Sequence, residues 1–116
     1  MSNKFDIYIE EARKLKRLYG DFNELIRRIC SFIKKYIDDA EIYLFGSMTQ
    51  GKYTMASDID LLIITRRKYE LDVDRIKALI KREFIEIPLE IHIVTPREFR
   101  DWYMRFIKED KLLKIL

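Results

Sequence analysis

The chain has 116 residues, too few for two ordinary domains and enough for one with a real core. Its 23 Lys and Arg against 20 Asp and Glu leave a net charge of +3, too small an excess to mark a nucleic-acid-binding face by itself. No apolar run approaches the roughly 20 residues that span a bilayer, and the single cysteine excludes an internal disulfide or a cysteine zinc site.

Residues 4–19 read as a helix, because Phe5, Tyr8, Ala12, Leu15 and Tyr19 recur at steps of three and four. This N-terminal stretch, MSNKFDIYIEEARK at its start, lacks the apolar core of a signal peptide, so a cytoplasmic location is expected. Gly20 supplies a stop, and Asp21 with Glu24 forms the Asp variant of a capping box. The second helix then carries an inner stripe of Phe22, Leu25, Ile26, Ile29, Cys30, Ile33, Tyr36 and Ile37, in which Cys30 reads as a small core residue. Asp38-Asp39 ends it.

Glu41–Phe45 alternates and is rich in β-formers, so it is a strand that stops at Gly46. Gly46–Ala56 is a loop expected to contain a short helix, and Ile59–Thr65 is a second strand, apolar almost throughout and therefore central. Arg66–Glu70 is a solvated connection. A third helix follows from about Val73 to Phe84. Pro88 breaks the chain, and Leu89–Val94 alternates as a third strand. Thr95-Pro96-Arg97-Glu98 is a second capping box, with Pro at the first helical position, and opens a last helix carrying Phe99, Trp102, Tyr103, Phe106 and Ile107. The expected fold is α/β: a small mixed β-sheet with helices packed on it. Residues 1–116 form a single domain in which 1–20 is an additional N-terminal helix.

Two carboxylates interrupt the central strand. Residues two apart on a strand share a face, so Asp58 and Asp60 project together while Ile59 and Leu61 point the other way. Like charges this close repel unless a cation lies between them. Paired hard oxygens suit Mg²⁺, which takes one or two carboxylates and completes its shell with phosphate oxygens and water. Gly46-Ser47 fits a phosphate-bearing substrate: glycine lets backbone approach a ligand, and serine offers a hydroxyl and N–H groups to an anion. Gly51 keeps the same loop open for a triphosphate. Glu90 and His92 share one face of the third strand, with Leu89, Ile91 and Ile93 on the other. Glu90 is a candidate third carboxylate, and His92 reads as a solvated or hydrogen-bonded histidine.

Gly46-Ser47, Gly51 and Ser57-Asp58-Ile59-Asp60-Leu61 together resemble the G-S-x-x-x-G … S-D-x-D-L signature of the nucleotidyltransferase (DNA polymerase beta-like) superfamily. The length looks like that of its minimal nucleotidyltransferases (MNT). The resemblance implies that Gly46 and Ser47, with Gly51, Lys52 and Ser57, bind the nucleotide, and that Asp58, Asp60 and Glu90 are catalytic and hold two Mg²⁺ ions. It implies ATP as the nucleotide donor and transfer of AMP to a hydroxyl. Two positions depart from the pattern: Glu90 stands where aspartate is usual, and Gln50 stands where many minimal members carry arginine before the glycine. Lys52 is the nearest replacement for that charge.

The family's well-known context supplies an acceptor, a tyrosine of a HEPN-type RNase toxin for which the MNT is the antitoxin. A homo-oligomer is a further expected form, with the N-terminal helix either packed on the domain or forming an interface. No membrane contact and no direct nucleic-acid binding are expected. A reading from a different class is a binding module of the same fold that neutralises or scaffolds its partner by contact alone.

Overall fold

A computed structural model describes residues 9, 10, 13, 14, 17, 20–45, 59–103 and 112–116 of the chain. Residues 9, 10, 13, 14 and 17 are helical, and Lys14 Nζ lies 3.2 Å from Glu86 Oε2, an ion pair half open to water. The predicted stripe of Phe5, Tyr8, Ala12, Leu15 and Tyr19 lies outside the described residues. Gly20 adopts a left-handed φ of +78°, a backbone conformation that strains any residue with a Cβ, so the turn favours glycine.

Asp21 caps the helix α1 (Phe22–Tyr36), its Oδ1 accepting from the Glu24 N–H at 2.8 Å. The Glu24 carboxylate lies 3.6 Å from Arg28, one turn on. Leu25, Ile26, Ile29, Cys30 and Ile33 form the buried stripe. Burial pushes the Cys30 thiol up to about 11, which suits an inert packing residue. Tyr36 departs from the predicted stripe. It is 38% exposed, and its ring leans on Phe32 at 5.2 Å while Ile37 takes the inner position.

Strand β1 (Glu41–Phe45) pairs antiparallel with β2 (Ile59–Ile64), and β2 pairs parallel with β3 (Leu89–Val94). The parallel pair needs a crossover, provided by α2 (Val73–Glu83), which Asp72 caps through the Arg75 N–H. Thr95 and Glu98 form the reciprocal capping box at the single turn α3 (Pro96–Glu98). The turn passes into a π-helical stretch, Phe99–Tyr103, while Phe106 and Ile107 of the predicted last helix lie outside the described residues; a short strand β4 (Leu112–Lys114), which the periodicity of the sequence did not disclose, pairs antiparallel with β1. The sheet order is β3-β2-β1-β4, so β2 is internal, as its apolar run predicts, and β3 is an edge among the described residues.

The main core fills one face of this sheet. Ile42, Leu44, Ile59, Leu61, Ile63, Leu89, Ile91 and Ile93 meet Leu25, Ile29, Ile33, Ile76 and Ile80 from the two helices. Each such side chain contributes roughly 1.5–3 kcal/mol by leaving water. A smaller cluster, Leu62, Ile64 and Val94, occupies the other face beneath Tyr43, Phe45 and Phe99. Among the described residues no helix is long and apolar enough to cross a membrane.

The far end of β2 is pinned by polar bonds. Thr65 is 1% exposed; its hydroxyl donates to Asp39 Oδ1 at 2.5 Å and accepts from the Arg67 N–H at 3.0 Å. The Arg66 N–H donates to Asp39 Oδ2 at 2.9 Å. Partial burial alone would raise the Asp39 pKa, but the bonds from Thr65 and Arg66 outweigh it and hold the carboxyl below its ordinary value. Glu98 behaves alike: partial burial opposes, and the Lys68 ammonium at 2.8 Å and the Thr95 N–H prevail.

Candidate active site

The pleat places Asp60 on the face of β2 opposite the helices, between its antiparallel partner Phe45 and its parallel partner Glu90. The three residues form one row across the sheet, on strands about 4.8 Å apart. Asp60 is half-buried and Glu90 exposed, as an interior and an edge strand require. The next row on that face is Tyr43, Leu62 and His92. The rings of Phe45 and His92 approach to 5.5 Å at 55°, making an aromatic floor behind the carboxylates.

Two neighbouring carboxylates on one face repel each other, and their repulsion is relieved by a cation. Both are hard oxygen donors on rigid strands and open to solvent on one side. That set fits Mg²⁺, which retains several waters, better than a softer metal that prefers nitrogen or sulfur. Among the described residues no group of three potential ligands is formed. The remaining predicted ligand, Asp58, lies outside them.

So do Gly46, Ser47, Gly51, Lys52 and Ser57, the residues predicted to bind the nucleotide, and Gln50. Phe45 and Ile59, which bracket that segment, both stand at the carboxylate end of the sheet. The structure therefore brings together Asp60 and Glu90, thirty residues apart in sequence. His92 joins them on the same face, one pleat repeat from Glu90.

Several neighbours of this face escaped the sequence reading. Tyr43 and Phe45 share it because β1 alternates, a signal already present in EIYLF. Phe99 does not announce itself in the same way. It reaches Tyr43 across the sheet, with rings stacked at 5.9 Å and 19°, only because the chain turns over the sheet after β3.

The nucleotidyltransferase domain family model matches residues 23–115. The chain is also similar to the crystal structure of a candidate nucleotidyltransferase at 35% identity, with a TM-score of 0.60, over 78% of this chain and 97% of that one. A candidate nucleotidyltransferase from Sulfolobus solfataricus shares the fold with a TM-score of 0.53 at 21% identity, over 92% of this chain and 84% of that one. No curated protein matches the chain significantly.

Proposed function

This chain belongs to the nucleotidyltransferase domain family, and on that premise we propose that it transfers AMP from Mg-ATP to a hydroxyl of an acceptor protein. The supporting observation is the pairing of Asp60 with Glu90 in adjacent register at the open end of the sheet. The 116 residues work as one catalytic unit, with residues 1–20 an added helix, in the cytoplasm where ATP is supplied.

In this reading Asp58, Asp60 and Glu90 would hold two Mg²⁺ ions, and Gly46, Ser47, Gly51, Lys52 and Ser57 would hold the triphosphate. The ions would neutralise charge on the transferred and departing phosphates. The acceptor hydroxyl attacks the α-phosphorus and releases its proton to solvent, the bond from phosphorus to the bridging oxygen breaks, and pyrophosphate leaves. Asp60, fixed in an internal strand, holds its oxygens still during this exchange. Glu90, on the edge strand and open to solvent, stands on the side from which an acceptor can approach.

The acceptor is a tyrosine of a partner HEPN-type RNase, which the transfer silences; the protein is then an antitoxin. One observation favours the second reading, a module that acts by contact alone: Glu90 is exposed on an edge strand, where many carboxylates are merely solvated. Pyrophosphate release from Mg-ATP, measured with and without the partner, separates the two. Release that rises with the partner and leaves AMP on its tyrosine supports transfer. Neutralisation of the RNase by a chain that releases no pyrophosphate overturns it.

A further inference from the structure

The face that carries Asp60 continues to the other end of the sheet, where it opens into a cleft of about 420 Å³. Its lining includes Tyr43, Ile64, Arg66, Phe99 and Arg100 with Glu41. This volume lies within the range of small-ligand and side-chain pockets. Ile64 is four residues from Asp60 on the same side of β2, so cleft and carboxylates are about 13 Å apart at 3.3 Å per residue. An extended polypeptide covers that span with about four residues.

The charges in the cleft are uneven in their commitments. Outside the cleft, Arg28, Arg67 and Arg97 each lie against a carboxylate. Among the described residues the side chains of Arg66 and Arg100 have no such partner, and both are exposed. Asp39, also in the lining, already has both oxygens engaged by Thr65 and Arg66. Lys114, the register partner of Tyr43, adds a cation to the same face. Glu41 is the remaining carboxylate of the lining, and the two guanidiniums outnumber it. Beside them the stacked Tyr43 and Phe99 rings offer a flat apolar ledge.

We infer that this cleft is an acceptor subsite, built to hold an acidic residue of the acceptor polypeptide about four positions from the hydroxyl that receives the nucleotide. The inference rests on the protein-acceptor reading above. The guanidiniums of Arg66 and Arg100 take the acceptor's carboxylate, and the ledge takes the apolar part of the neighbouring side chain. The chain between them lies extended over the sheet and delivers its hydroxyl to the carboxylate end.

The test uses the full chain and two labelled peptides, each with one tyrosine and differing only in glutamate or lysine four residues away. Binding is followed by fluorescence anisotropy without nucleotide, and transfer is followed separately with Mg-ATP. The glutamate peptide is expected to bind about tenfold tighter, a difference of about 1.4 kcal/mol. The double reversal R66E/R100E should erase or invert that preference, and R66K/R100K should restore part of it, with Mg-ATP affinity and the melting transition unchanged. Equal affinity for both peptides, or a preference indifferent to the reversal, overturns the inference. So does arginine-dependent binding of a single-stranded RNA in place of the acidic peptide. Selective binding without transfer to tyrosine would leave the subsite standing and remove the tyrosine reading. Transfer that is equally fast on both peptides would do the reverse.

Discussion

The two faces of β2 are made by alternate residues of one six-residue strand, yet they serve different ends. On one face Ile59, Leu61 and Ile63 are fully buried beneath two helices. On the other, Leu62 and Ile64 are covered by aromatic rings from Tyr43, Phe45 and Phe99, and Asp60 is left at the open end. A face packed by helices can be rigid without presenting anything to solvent. A face with a small aromatic cover can keep carboxylates in place and still admit a substrate. The comparison predicts that substitutions on the first face unfold the protein, while those on the second disable it.

The largest effect should follow Asp60→Asn. Transfer from Mg-ATP should fall on the order of 10³-fold, equivalent to about 4 kcal/mol of transition-state stabilisation. The melting temperature should stay or rise, because a like-charge repulsion with Glu90 is relieved. Calorimetry alongside a pyrophosphate assay checks both; an active Asp60→Asn protein would remove the site.

Ile63→Ala reads the opposite face. Its side chain is fully buried in the main core, so roughly 2–5 kcal/mol of stability should be lost. Urea denaturation measures it, and activity per folded molecule should be unchanged. If this variant lost activity while keeping its stability, the division between the faces would fail.

Glu90→Gln sharpens the comparison within the open face. Transfer should drop by about 10–100-fold, or roughly 1.4–2.7 kcal/mol, with ATP binding largely kept, since Asp60 still serves the nucleotide. Stopped-turnover and equilibrium binding experiments separate these terms. A variant like the wild type would make Glu90 a surface carboxylate and strengthen the contact-only reading.

The smallest effect belongs to the far end of β2. Asp39 has a depressed pKa in the fold, so its contribution is fully present above its ordinary value of 3.8 and is lost as pH falls through the lower folded value. Asp39→Asn should therefore cost about 1 kcal/mol near neutrality, and the difference from wild type should shrink in acid below that window. Melting curves taken from neutral pH down into this acid range check the sign.

Much of this architecture was legible in the residues. Alternation in EIYLF and LEIHIV gave both strands their observed ends, and Asp21, Gly20 and the Thr95–Glu98 box marked helix boundaries by local hydrogen bonding. The last segment was not legible in this way. Phe99–Tyr103 departs from the regular helix, and Leu112–Lys114 is a strand only because β1 offers it an unpaired edge. Three residues have too little period to declare themselves.

What the sequence determined by itself is whatever depends on near neighbours: the caps, the strand faces, and the projection of Asp60 and Glu90 away from the apolar side of their strands. Period-two geometry and short-range hydrogen bonds act within a few residues, so they can be read along the chain. Only the tertiary structure decided that β2 and β3 pair in the register that sets Asp60 beside Glu90. It alone brought Phe99 onto Tyr43 and left Arg66 and Arg100 facing one cleft. Those juxtapositions join residues thirty or more positions apart, and they arise from burying two helices on one face of a sheet whose edge then fixes the register.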